Sequence, residues 1–229
     1  MREIADGLFA LEMQIEGYPA YAIGIHLMGD VLVDAGIHPF AEQILGELEG
    51  YDVGAHALTH AHMDHVGASH AVCEALSLPL YAPAAEADNV ESGDFYSLVP
   101  DLPQNRQDID VMVGGPHPVS RRLSEGDEVG GFVVIDSPGH SPGHISYWRE
   151  SDRVLIAGDA MRNWDMVTQE VALQQPLDIH TVDPPRNRAS IRKLAALDPL
   201  IVCFGHGPAL TEPDLLHAFV ERLSDEVRV

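Results

Sequence analysis

Lysine is nearly absent from this chain of 229 residues. Lys193 stands alone, and only 13 basic side chains oppose 36 acids. The formal charge of −23 repels phosphate backbones, so nucleic acid is not an expected partner. No run of 18 apolar residues occurs, which speaks against a membrane-spanning helix. Glu3 and Asp6 stand where a signal peptide would have basic residues followed by an apolar run, so a cytoplasmic location is expected. Cysteine is scarce as well. Cys73 and Cys203 are far apart, each among apolar neighbours, which predicts two buried free thiols in preference to a disulfide or a metal role.

What remains has an ordinary globular composition, 45% hydrophobic, and a length that fits one sizeable domain over 1–229. The pattern predicts strands at 8–15 and 21–27, joined by a turn at Glu16-Gly17-Tyr18-Pro19. A short strand at 31–34, a helix at 40–48, a strand at 53–58, a helix at 66–78 and a strand at 80–83 follow. Strands resume at 119–123, 131–135, 145–148 and 154–157. A helix at 189–197, a strand at 201–204 and an amphipathic last helix complete the series. Thr211-Glu212-Pro213-Asp214 has the look of a capping box for that helix. Two spans, 84–118 and 161–188, break this rhythm and read as irregular insertions of the kind that carry function. Strands and helices in this order suit an α+β fold of two sheets packed face to face with helices outside.

Thirteen histidines are present, and they are not spread evenly. Thr59-His60-Ala61-His62-Met63-Asp64-His65-Val66-Gly67 packs three of them and an aspartate into six residues, between a predicted strand and a predicted helix. On extended backbone His60 and His62 point the same way, and Asp64 and His65 follow where the chain bends. Gly67 is read as leaving that turn sterically free. Neutral imidazole and carboxylate are the ligands a zinc-like ion prefers. Asp34, before Ala35-Gly36, reads as a turn former. His26, His38, His56, His70, His117, His180 and His217 read as surface or satisfied core residues. His144 is expected to have a structural or supporting role.

The His60-x-His62-x-Asp64-His65 stretch resembles the signature of the metallo-β-lactamase-fold hydrolases. Later blocks extend the resemblance over nearly the whole chain, in order: Ser137-Pro138-Gly139-His140-Ser141-Pro142-Gly143-His144, Ala157-Gly158-Asp159-Ala160 and Phe204-Gly205-His206-Gly207. The resemblance implies a four-layer αββα sandwich, and it gives Asp34 a reading of equal weight to that of turn former, as a support for the metal ligands. It also implies one metal triad of His60, His62 and His140, a second of Asp64, His65 and His206, and Asp159 bridging the two ions. A histidine at 62 differs from the acidic residue usual in the flavodiiron relatives, and so favours zinc.

The implied chemistry is a dinuclear zinc centre with a bridging hydroxide that cleaves an ester, thioester or lactone bond of a small molecule. Asp64 would bind the second ion and act catalytically by orienting the nucleophile. The active site resembles that of glyoxalase II and of the lactonases. Only 23 residues follow His206, so the helical glutathione-binding domain of glyoxalase II is not expected. The alternative is an oxidoreductase like the persulfide dioxygenases, with one Fe2+ per chain. Phe95, Tyr96, Arg162, Asn163 and Trp164 are the candidates for contacts to substrate. The sequence is compatible with a homodimer and selects no oligomeric state.

The acid excess suggests a protein adapted to high salt, where screening suppresses self-repulsion. Its melting temperature should then rise steadily from dilute buffer to molar salt; a melting temperature indifferent to salt would remove that reading.

Overall fold

The computed structural model describes residues 1–15 and 18–223, with the side chains of 15–21 left aside. Two mixed sheets form its centre. The first runs in the order β1 (Arg2–Ala5), β2 (Leu8–Ile15), β3 (Tyr18–Met28), β4 (Val31–Val33), β5 (Ala55–Ala57), β6 (Leu80–Pro83) and β7 (Val119–Leu123). The second has the order β12 (Ile201–Cys203), β11 (Val154–Ile156), β10 (Ile145–Arg149), β9 (Phe132–Asp136) and β8 (Glu128–Val129). Neighbours β1 to β4 are antiparallel, whereas β4 to β7 are parallel. In the second sheet only β11 and β12 run parallel. Parallel neighbours need a crossover, and this is where the helices enter. They are α1 (Ala41–Glu47), α2 (Met63–Val66), α3 (Ser69–Leu76), α4 (Ala87–Ser92), α5 (Pro103–Met112) and α6 (Pro184–Ala195); α7 (Pro213–Glu221) follows β12.

Strand periodicity explains the layering. Successive side chains point to opposite faces, so a strand covered on both sides must be apolar throughout. In β4, Val31 and Val33 face the second sheet, while Leu32 faces the helices. In β11, Val154 and Ile156 face the first sheet and Leu155 faces α6. The inner layer is completed by Leu8, Met28, Phe132, Val134 and Tyr147. Ile44, Val72 and Ile109 close the outer face of the first sheet, and Ile191, Leu194 and Leu216 close that of the second. Each such side chain, fully buried, stabilises the fold by about 1.5–3 kcal/mol. The architecture is therefore the four-layer αββα sandwich, α+β in class.

Some local expectations are corrected. Of the expected turn at 16–19, Glu16 and Gly17 lie outside the described residues, and Tyr18 and Pro19 already belong to β3. The helix expected at 66–78 starts earlier and is split into α2 and α3, so Asp64 and His65 sit on a helical turn. Gly67 is there for the opposite of freedom: an added Cβ would lie 2.4 Å from Met112 O, 2.5 Å from Met63 O and 2.6 Å from Gly36 O. The span 84–118 is largely helical, holding α4, a single turn at Tyr96–Leu98, and α5. Pro103 occupies the first turn of α5, where its missing N–H costs nothing. The capping box does not form, because the cap of α7 is Glu212 and Thr211 only donates to its carboxylate. Among the described residues no helix is long and apolar enough to cross a membrane. Cys73 and Cys203 are free and buried, and burial pushes both thiols up to about 12.

Candidate metal centre

The carboxyl ends of β4, β5, β11 and β12 open onto one edge of the sandwich, and the β9–β10 connection joins them there. In order they carry Asp34, the 59–65 stretch, Asp159, His206 and His140. Loops beyond carboxyl strand ends are where sheets of this kind place their ligands. The two sheets are stitched at this edge by backbone bonds. Gly24 N–H donates to Gly205 O at 2.7 Å, and Ile145 N–H to Thr59 O at 2.9 Å. Gly205 has no room for a side chain, since a Cβ would lie 2.0 Å from Asp159 Oδ1 and 2.6 Å from His65 Cε1.

Three overlapping donor groups occur here: His60, His62 and His140; His60, His65 and Asp159; and Asp64, His65 and His206. In each, the donor atoms lie within 4.8 Å of one another. His206 Nε2 is 3.2 Å from both Asp64 Oδ2 and Asp159 Oδ2. Asp159 also approaches His140 Nε2 at 3.5 Å and His65 Nε2 at 3.4 Å. All seven side chains predicted as ligands are thus brought to one place.

Hydrogen bonds at the far side of each ring decide which nitrogen faces inward. Asp34 Oδ2 accepts from His65 Nδ1 and from Thr59 Oγ1, each at 2.8 Å, and Asp34 Oδ1 accepts from Thr59 N–H. Having spent its proton on Asp34, Thr59 Oγ1 must accept at 3.0 Å from His60 Nδ1. His206 Nδ1 donates to Ala22 O. His60, His65 and His206 therefore present Nε2. His62 is reversed: its Nε2 donates to Leu98 O at 2.9 Å, which leaves Nδ1 for the cluster. Asp34 also adopts a left-handed backbone at φ 60°, so it is both turn former and support.

Two supports act behind the donors. His144 Nε2 accepts from Asp159 N–H at 3.0 Å, so its proton sits on Nδ1 and is given to Ser137 Oγ. Burial drives His144 down to about 4, which keeps it neutral in this role. Glu86, fully buried, accepts from Ala61 N–H and Gly143 N–H at 2.7 Å and from Ser141 Oγ. One carboxylate thereby clamps the His60–His62 loop to the loop bearing His140. The sequence reading missed Glu86, and no local pattern marks it, because its partners lie 25 to 57 residues away.

The electrostatics call for a cation. Burial, then the neighbouring imidazoles, pushes His60 well below its usual range, and His140 likewise. Burial also opposes charge on His65 and His206. Asp159 and the other carboxylates outweigh it, raising His65 well above its ordinary value and His206 to about 9. The same imidazoles hold Asp64 and Asp159 well below the carboxylate range. Among the described residues, His60 Nε2, His65 Nε2 and Asp159 Oδ1 are buried without a hydrogen-bond partner. Buried polar atoms are rarely left so, and a divalent cation would satisfy all three. The residues present fit a metal.

Above the donors lies a cleft of about 170 Å3. One wall is Asn105, Asp108 and Met112 of α5; the other is Arg162, Met166 and His180. Of the five residues predicted to touch substrate, Arg162 alone lines it. Phe95 is packed in the outer core of the first sheet, and Tyr96 donates to Asp110. Trp164 is buried beside the Arg162 guanidinium, and Asn163 ties the His206 loop by donating to Pro208 O. His180, read as unremarkable, is on the cleft wall.

A model of the metallo-beta-lactamase superfamily matches residues 19–206. A probable metallo-hydrolase of Bacillus subtilis, YflN, is 31% identical, the match covering 91% of this chain and 87% of that one. A hydroxyacylglutathione hydrolase of Bdellovibrio bacteriovorus is 31% identical over 48% of this chain and 35% of its own. Among solved structures, TTHA1623 in a di-iron-bound form superposes with a TM-score of 0.65 at 29% identity, covering 89% of this chain and 94% of that one.

The geometry predicts three outcomes. Glu86→Ala should weaken metal affinity about 10–100-fold with the fold retained, as loss of an outer support does elsewhere; competition with a chromophoric chelator measures it. The raised His206 stabilises the chelator-treated protein fully below pH 6.5, and that contribution is lost as pH rises through about 9. Its melting temperature should therefore fall over that interval. Zinc added at pH 7 should release about two protons, from His65 and His206, in a weakly buffered indicator assay.

Proposed function

The chain belongs to the metallo-beta-lactamase superfamily and is a metal-dependent hydrolase of that group; from this premise we propose that it holds two zinc ions and cleaves an ester, thioester or lactone bond of a small molecule. The observation that carries the reading is the convergence of five histidines and two aspartates in overlapping groups, beneath a cleft of small-molecule size. His60, His62 and His140 would hold one ion, Asp64, His65 and His206 the other, with Asp159 between them. When bound, such a pair lowers the pKa of water from about 15.7 toward 7 and polarises a carbonyl oxygen.

The protein's own part is positional. Asp34 and Thr59 fix the rings of His65 and His60, Leu98 O fixes His62, and Glu86 holds the two ligand-bearing loops in register. Asp64 lies on the floor of the cleft, with its side chain 18% exposed. It is the carboxylate that can both orient an attacking water and carry a proton to the leaving group. The walls from α5 and from 162–180 exclude bulk water and select the substrate. Likeness to hydroxyacylglutathione hydrolase supports a thioester among the candidate bonds. The di-iron form of TTHA1623 supports iron as the competing metal.

The test is a panel of small esters, thioesters and lactones, run after elemental analysis of protein purified without added metal. About two zinc ions per chain and turnover on one class are expected. Asp64→Asn should lower that turnover by about 10²–10⁴-fold. Near-normal turnover in a metal-replete variant would defeat the role given to Asp64. One iron per chain, with oxygen uptake on persulfides, would replace the hydrolase with a dioxygenase.

A further inference from the structure

Away from the cleft, a fourth donor group consists of His70, Glu74 and His117, none of which lines that cleft. His70 and Glu74 are four residues apart on α3 and so share one face, a turn apart. His117 comes from the segment before β7, where its N–H is tied to Val90 O at 3.2 Å. Its Nδ1 lies 3.2 Å from His70 Nδ1 and 3.9 Å from Glu74 Oε1. The rings meet edge to face at 69°, with centroids 5.3 Å apart.

Two facing Nδ1 atoms and a carboxylate can be satisfied in two ways. A shared proton pairs the two nitrogens and leaves Glu74 outside. A cation satisfies all three donors at once. Zinc bonds to nitrogen and oxygen are about 2.0–2.1 Å, which sets two ligands on a tetrahedron about 3.3 Å apart. The observed nitrogen separation is that edge. The longer distance to Glu74 closes with a small rotation, and this side chain is 66% exposed and free to make it. Two neutral imidazoles and one carboxylate are a zinc-like donor set, with water for the fourth position.

We propose that His70, Glu74 and His117 form a separate structural site for a zinc-like divalent cation, stapling α3 to the segment that leads into β7. The segment continues directly from α5, which forms a wall of the cleft, and Gly114 N–H is already tied to Gly67 O at 2.9 Å. The ion therefore fixes the far end of that wall. The proposal does not depend on which reaction the main centre performs.

The experiment counts ions as a difference. Metal-loaded wild type, His117→Ala and Glu74→Gln are dialysed to equilibrium against tens of micromolar zinc, and zinc per chain is measured. His117→Ala should hold one ion fewer than wild type, whatever number the main centre retains. Glu74→Gln, altered only at an exposed side chain, should lose the same ion at higher free zinc than wild type does. Equal counts in wild type and both variants overturn the proposal. So does a loss of more than one ion, which would mark the cluster as a support of the main centre. If His117→Ala fails to fold, the Glu74→Gln count decides alone.

Discussion

Five imidazoles and two carboxylates are withdrawn from water at one edge of this sandwich, and most of the architecture around them offsets that withdrawal. Isolated, such groups would have to neutralise, and His60 and His140 do. His65 and His206 instead keep a proton against Asp64 and Asp159, so the cluster is built of groups whose charges depend on one another. A divalent cation bound there would take the place of those protons. The fold contributes the rest: parallel strands that end together, and glycines that let the loops approach to within the reach of a bond.

Behind the donors, a small number of groups do most of the aiming. Asp34 serves Thr59 and His65, and through Thr59 it also sets His60. Glu86 joins two loops from different sheets, and His144 holds the backbone of Asp159. Each is buried and held by hydrogen bonds to more than one partner, so the ring nitrogens have little choice of orientation. Precision at the metal thus comes from residues that never touch it.

How much of this was legible in the sequence differs by the range of the interaction. The donors were readable because their spacing is local: His60 to His65 occupy one strand-to-helix turn, and the later blocks are short and ordered. The unbroken apolar run Val31-Leu32-Val33 marked a short strand for the same reason. Glu86 was invisible because it acts across 25 to 57 residues on backbone groups that any sequence has. Asp108 and His180 were passed over because proline and glycine made their spans look irregular, although Pro103 and Pro184 each open a helix. Phe95 and Trp164 drew notice as aromatics, yet aromatic bulk near a site serves packing as readily as contact. The pairing of His70 with His117 joins α3 to a segment 47 residues away, and no spacing rule reaches that far.

The reversed ring of His62 has an evolutionary corollary. Its orientation is held by the carbonyl of Leu98, a main-chain atom that every residue type supplies. The side chains of the following helix can therefore be exchanged one by one, altering what the cavity admits, while the geometry at the ion stays fixed. A catalyst wired in this way can drift among substrates without passing through an inactive ancestor.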